Sequence, residues 1–183
     1  MAQILTKMPI FELQKINTMK KLVILPIFVF ICTLAAVAQD PIPALSLYDI
    51  KGNKVEISDY KGDGKIQIFS FWATWCVPCK EELNNMAEIY EDWQKDYNVE
   101  IIAVSIDDAK TKANVKSYAE GQGWTYTIVL DSNKELHRLL GGQSVPFTVL
   151  TDKTGNIVEK HTGYIEGDEY VLEEKIKELS KQQ

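Results

Sequence analysis

The residues whose types and spacing most clearly indicate chemistry are two cysteines, Cys76 and Cys79, in the segment Trp-Cys-Val-Pro-Cys. Residues 65–71, just before them, are rich in β-branched and aromatic side chains, which predicts a strand. Residues 83–97, just after them, carry apolar side chains at helical spacing, which predicts an amphipathic helix. The two thiols are therefore expected where a strand ends and a helix begins.

That position favours redox chemistry at the first cysteine. The first turn of a helix has unpaired N–H groups and the positive end of the helix dipole, so it stabilises a thiolate. Cys76 is the expected nucleophile, and Cys79, one turn further on, is the expected resolving thiol. Pro78 is tolerated between them because N–H groups of the first turn have no partner within the helix. Such a pair can alternate between dithiol and disulfide through a mixed disulfide with a partner.

Residues 72–79, with the sequence Trp-Ala-Thr-Trp-Cys-Val-Pro-Cys, resemble the active-site motif of the thioredoxin superfamily. In detail they resemble its exported branch, the TlpA/ResA-like thiol-disulfide oxidoreductases, and the resemblance covers about residues 42–179. It implies an α/β thioredoxin fold with an N-terminal β-hairpin and a central insert at about residues 107–130.

The resemblance also implies which residues contact the substrate. Trp75, Val77 and Pro78 would form the surface beside the cysteines. The family places a cis proline at Pro146, where the backbone of Val145 would pair with an extended partner segment. Without the resemblance a trans bond would be expected, since few X–Pro bonds are cis.

A further candidate is an acidic residue in the predicted helix. Thioredoxins proper have a buried Asp six residues before the first cysteine, but here that position is Ser70, which cannot accept a proton at neutral pH. Glu82 follows Cys79 by three residues and is expected on about the same helix face. The resemblance implies that Glu82 handles the thiol protons; the alternative is a solvated side chain like that of Glu81.

The remaining pattern alternates strands and helices, which favours one α/β domain. That domain is expected at residues 44–183, after a linker at 39–43. The predicted strands are 44–50, 54–57, 99–106, 125–130, 147–150 and 157–160, and the later predicted helices are 111–120, 134–140 and 168–179. His137 and His161 are expected to be ordinary packing or surface residues, because their spacing does not suit a metal.

Residues 1–38 are predicted to be a signal peptide, with true translation start at Met19. Cleavage would give an exported, periplasmic protein; the alternative is an uncleaved membrane anchor. Of the 20 basic and 26 acidic residues, four Lys and one Glu lie in 1–38, which leaves 16 and 25 and a formal charge of −9. That balance argues against binding to nucleic acid or anionic lipid.

The sequence predicts no cofactor and no bound metal. The resemblance implies a disulfide reductase that acts on an exported protein, receives electrons from a membrane thiol-disulfide donor and serves cytochrome c maturation. The alternative functions are a peroxiredoxin-type peroxidase, whose Pro-x-x-x-Thr lead is absent, and a copper-delivery module, which would need one more residue between the cysteines. A zinc half-site lacks the second pair of ligands.

Overall fold

The computed structural model describes residues 40–182, which form one seven-stranded mixed sheet with four α-helices. The predicted signal peptide at 1–38 lies outside the described residues. The strands are β1 (Ser46–Asp49), β2 (Lys54–Glu56), β3 (Ile66–Trp72), β4 (Val99–Ser105), β5 (Thr127–Leu130), β6 (Phe147–Thr151) and β7 (Ile157–Thr162). The helices are α1 (Val77–Tyr97), α2 (Ala113–Gln122), α3 (Glu135–Leu139) and α4 (Asp168–Ser180), with a 3₁₀ turn at Ile57–Tyr60.

The strand order is β2-β1-β5-β4-β3-β6-β7. The three central strands β5, β4 and β3 are parallel, and the other pairs are antiparallel. Every residue of β3 is buried, as expected for a parallel strand with both faces covered. The carboxyl ends of β3 and β4 lie side by side, so the residues that follow them meet at one edge of the sheet.

Helix α1 begins directly after Cys76, which occupies the N-cap position with extended backbone. Its buried face includes Leu83, Met86 and Tyr90, at the spacing that the sequence indicated. The helix ends at Asn98, which adopts the left-handed conformation (φ 56°). Helices α1 and α4 pack against each other and against β3, so the start of α1, next to the cysteines, is fixed against the sheet.

The amino-terminal part contains the predicted hairpin, formed by the antiparallel pair β1 and β2. Residues 40–43, expected as a linker, pair with the turn between β6 and β7. The Ile42 N–H donates to Gly155 O at 3.1 Å, and the Ile157 N–H donates to Asp40 O at 2.9 Å. The side chain of Ile42 is buried in the core, so this segment is part of the folded domain.

Several element boundaries differ by one or two residues from the sequence expectation. Helix α2 continues past Gly121 and ends at Gly123, because Gly123 is the residue that takes the left-handed conformation (φ 69°). Asp131 caps α3, since its carboxylate accepts the N–H groups of Glu135 at 2.8 Å and His137 at 2.9 Å. No helix within residues 40–182 is long and apolar enough to cross a membrane.

Candidate active site

The two cysteines form a disulfide at the start of α1. The Sγ atoms of Cys76 and Cys79 are 1.98 Å apart, and their Cα atoms are 5.4 Å apart. Cys79 is completely buried, whereas Cys76 retains a small exposed fraction of 6%. Cys76 is therefore the less buried of the two cysteines, the order expected of a nucleophile and a resolving thiol.

A buried carboxylate fixes the loop that leads into Cys76. Asp107, just after β4, accepts the Thr74 N–H at 2.9 Å and the Thr74 hydroxyl at 2.6 Å. The oxygen that accepts the Thr74 N–H, Oδ2, also accepts a hydrogen bond from the Ser105 hydroxyl at 2.9 Å. Because Thr74 lies two residues before Cys76, these bonds set the position of Cys76 relative to the sheet.

The loop before β6 forms the opposite side of the site. The Val145–Pro146 peptide bond is cis, as the family resemblance implied. The Pro146 carbonyl accepts the N–H of Gly163 at 2.9 Å. A ring nitrogen of the buried His137 (Nε2) lies 3.1 Å from Ser144 O, so His137 is a packing residue that holds this loop.

The predicted substrate-contacting residues differ in how exposed they are. Trp75 and Val77 are largely exposed, at 57% and 58%, which is unusual for large apolar side chains beside a disulfide. Pro78 is exposed, Val145 is half-buried, and Pro146 is buried. The exposed surface beside the disulfide is thus made mainly by Trp75, Val77 and Pro78.

A groove lies between Trp75 and Val145, with a volume of about 500 Å³. Its wall contains the cationic side chains of Lys134 and Arg138, contributed by α3 and the residue before it. Gln143 also lines the groove, and no Asp or Glu of the described residues does.

Glu82 is buried inside the protein, which excludes the alternative of a solvated helix residue. Its carboxylate accepts the Thr148 hydroxyl at 2.7 Å and the Ser70 hydroxyl at 3.1 Å. Burial raises the pKa of Glu82 to about 7; the two hydrogen bonds oppose this rise, and the charges of Asp168 and Glu169 add to it. A carboxyl with that pKa exchanges a proton readily near neutral pH.

A small cavity of about 60 Å³ adjoins Glu82, large enough for a few water molecules. His161 and Asp168 line it nearer the surface, and the His161 Nε2 atom lies 3.6 Å from an Asp168 carboxylate oxygen. Thr148 also lines the cavity and pairs directly across the sheet with His161.

Sequence reasoning did not find the residues that support these groups. Thr148 could have been found, since it follows Pro146 by two residues on the predicted last-but-one strand. Asp107 could have been found as well, because side chains at the carboxyl ends of adjacent parallel strands meet. His137 gave no such signal, since its contact with Ser144 depends on the conformation of the loop.

Comparison with known proteins identifies the family. The model of the AhpC/TSA family matches residues 38–160. The chain belongs to the AhpC/TSA family. This match spans the cysteine pair, Glu82 and the cis proline.

Within that family the chain is similar to thiol-disulfide oxidoreductases. It is 37% identical to the thiol-disulfide oxidoreductase ResA of Geobacillus thermodenitrificans over 121 residues, which are 66% of this chain and 67% of the relative. It is 32% identical to ResA of Bacillus thuringiensis subsp. konkukian over 138 residues, 75% of this chain and 76% of the relative. This member of the AhpC/TSA family is therefore a thiol-disulfide oxidoreductase.

Solved structures support the same fold. A thioredoxin-like protein from Porphyromonas gingivalis superposes with a TM-score of 0.69 at 42% identity, covering 77% of this chain and 92% of that one. A protein assigned as the thiol:disulfide interchange protein DsbE from Chlorobium tepidum gives 0.68 at 26% identity, covering 78% and 96%. The α/β thioredoxin fold predicted from the sequence is confirmed, and the insert at residues 107–130 stays a prediction.

Proposed function

We propose that this protein reduces disulfides in exported proteins by dithiol-disulfide exchange at Cys76 and Cys79. The observation that carries the proposal is the bonded pair at the start of α1, with Cys76 slightly exposed and Cys79 completely buried. The exposed side chains of Trp75 and Val77 and the backbone of Val145 form the surface on which the substrate segment would lie.

The reaction proceeds in two displacement steps. The Cys76 thiolate attacks one substrate sulfur, forming a mixed disulfide while the other substrate sulfur leaves as a thiolate. Cys79 then transfers its proton to the Glu82 carboxylate and attacks the Cys76 sulfur. The second substrate sulfur leaves as a thiolate, and the Cys76–Cys79 disulfide remains. Two electrons reach the substrate, whose thiolates take one proton from solvent and one that Glu82 releases.

Glu82 is proposed as the proton acceptor because it is the buried titratable group one helical turn beyond Cys79. The burial of Glu82 also supports reduction, rather than oxidation, of the substrate disulfide. A buried carboxylate disfavours a neighbouring thiolate, and a reduced form that is not stabilised as a thiolate makes a weaker oxidant.

The partners and the location are proposed from the family resemblance. The substrate would be a disulfide in an exported protein, in particular the Cys-x-x-Cys-His segment to which c-type haem is attached. A membrane thiol-disulfide carrier would return the electrons. Residues 1–38 would direct export to the periplasm and be removed there.

Trapping the mixed disulfide tests the role of each cysteine. We expect Cys79→Ser to accumulate a covalent adduct with a disulfide-bonded Cys-x-x-Cys-His peptide, seen by mass spectrometry, because the resolving thiol is missing. We expect Cys76→Ser to form none. Adducts formed equally by both variants would contradict the assignment, and rapid hydrogen peroxide consumption without peptide reduction would indicate a peroxidase.

A further inference from the structure

The groove beside the cysteines is positively charged, whereas residues 39–183 as a whole carry a negative net charge. Lys134 and Arg138 line it, and no described Asp or Glu does. Arg138 is the only arginine of the chain, whose residues 39–183 carry a formal charge of −9. No carboxylate among residues 40–182 forms an ion pair with either cation.

The groove lies where an extended substrate would pass. One side is Trp75, the residue before Cys76, and the other is Val145, the residue before the cis proline. A segment that pairs with the Val145 backbone while its cysteine reaches Cys76 must place its neighbouring side chains over this groove. In an extended segment, residues two positions from the cysteine point to the same face as the cysteine.

The wall that carries the two cations is held in place. The buried His137, next to Arg138, contacts Ser144 O at 3.1 Å and packs against Phe147, with ring centroids 5.6 Å apart. A Cβ atom at Gly142 would lie 2.3 Å from His137 Nε2, so the loop fits closely against this ring. Lys134 and Arg138 therefore project from a braced segment.

We propose that the groove is a specificity subsite that binds an acidic side chain close to the reactive cysteine of the substrate. The proposal rests on the proposed function and adds a substrate class to it. Two cations on the rim of a binding surface attract an anionic segment and repel a cationic one. The same charges would orient the segment, so that its cysteine approaches Cys76 rather than the exposed Trp75 face.

The test uses peptides with one cysteine held in a mixed disulfide with neutral mercaptoethanol. Asp, Asn or Lys is placed two residues before or after that cysteine, and single-turnover reduction by the reduced protein is followed. We expect the Asp peptide to react about fivefold faster than the Asn peptide at one of the positions, the upper range for an exposed ion pair. The preference should shrink at high salt, because screening shortens the range of the interaction.

Charge reversal gives the decisive comparison. In Lys134→Glu/Arg138→Glu the order should invert, with the Lys peptide faster than the Asp peptide, a result that mere structural damage would not produce. Lys160→Gln is the matched control, since Lys160 is exposed on β7 and does not line the groove; it should keep the wild-type order.

The two levels of the proposal fail in different ways. Equal rates for the Asp, Asn and Lys peptides in the wild-type protein would overturn the subsite while leaving the exchange reaction intact. No reduction of any peptide would overturn the proposed function itself. An Asp preference that persists unchanged in the charge-reversed variant would also overturn the subsite.

Discussion

Thr148, two residues after the cis proline, donates its hydroxyl to the carboxylate of Glu82 at 2.7 Å. This bond joins β6, which follows the cis-proline loop, to α1, which begins at the cysteine pair. Ser70 on β3 donates to the other Glu82 oxygen, so three elements meet at one buried carboxyl. The group proposed to move the thiol proton is therefore fixed relative to both sides of the site.

The titration of Glu82 predicts a pH dependence of stability. Because burial raises its pKa from 4.5 to about 7, the folded protein favours the protonated form. Protonation of Glu82 stabilises the folded protein fully below about pH 4.5, and this stabilisation is lost as the pH rises through 7. In Glu82→Gln the amide can still form hydrogen bonds with both hydroxyls but does not titrate. Between about pH 5 and pH 8 the free energy of unfolding of this variant should therefore rise by about 2–3 kcal/mol relative to that of the wild type.

Urea unfolding of the oxidised proteins at both pH values measures this difference. Glu81→Gln is the control, since Glu81 is the exposed neighbour on the same helix. If the wild type, Glu81→Gln and Glu82→Gln all had the same pH dependence, Glu82 would not titrate as described.

The proton-transfer role of Glu82 predicts a kinetic defect in the same variant. Glu82→Gln should slow resolution of the mixed disulfide by about 100-fold near neutral pH, at the low end of general-base contributions. Formation of the mixed disulfide should change little, because in this step Cys76 attacks as a thiolate and needs no proton acceptor. Rapid-quench measurement of the two steps separates them, and an unchanged pH profile of resolution would exclude the role.

A pair of glycine substitutions tests the bracing of the substrate loop. Gly142→Ala places a Cβ 2.3 Å from His137 Nε2, so the ring or the loop must move, at a cost of about 1–3 kcal/mol. The KM for peptide reduction should rise as well, because the His137–Ser144 contact positions the loop. Gly121→Ala in α2 has open space around its Cβ and should stabilise the protein by about 0.5–1 kcal/mol.

Thermal unfolding and peptide KM compare the two variants. A Gly142→Ala protein as stable and as active as the wild type would show that the loop adjusts freely.

Asp107 is predicted to hold the nucleophile's loop. In Asp107→Asn the amide oxygen can still accept from the Thr74 N–H and the Ser105 hydroxyl, but an NH2 group then replaces the oxygen that accepts the Thr74 hydroxyl, and the negative charge on these hydrogen bonds is lost. We expect a loss of about 1–3 kcal/mol of unfolding free energy and slower alkylation of reduced Cys76. Asp108→Asn is the control, because only its Oδ1 accepts the hydrogen bonds recorded for it and Asn retains that acceptor. Equal behaviour of the two variants would contradict the role of Asp107.

Some parts of the cysteine site could be predicted from the sequence and others could not, each for its own reason. The strand before Cys76 and the helix after it followed from local patterns: β3 matches the predicted strand within one residue, and α1 begins directly after Cys76 and ends at Tyr97, where the apolar pattern ends. The cis bond at Pro146 followed only from the family resemblance, because local preference favours trans. The burial of Glu82 depends on β6 and α4 covering one face of α1, a tertiary arrangement that periodicity does not specify.

The contacts of Asp107 and Thr148 were not predicted because each joins residues distant in the sequence. The contact of His137 with Ser144, seven positions away, was not predicted because it depends on the conformation of the loop. Asp107 bonds Thr74, 33 positions away, and Thr148 bonds Glu82, 66 positions away. The positive groove also depends on the fold, since it requires α3 to lie beside Trp75.

The reduction potential of the Cys76–Cys79 pair, equilibrated against thiol buffers, tests the central claim most directly. A disulfide reductase should give a reversible two-electron couple below about −230 mV. A potential above about −150 mV would make the protein an oxidant and contradict the proposed direction, and failure to form a reversible disulfide would contradict the exchange chemistry altogether.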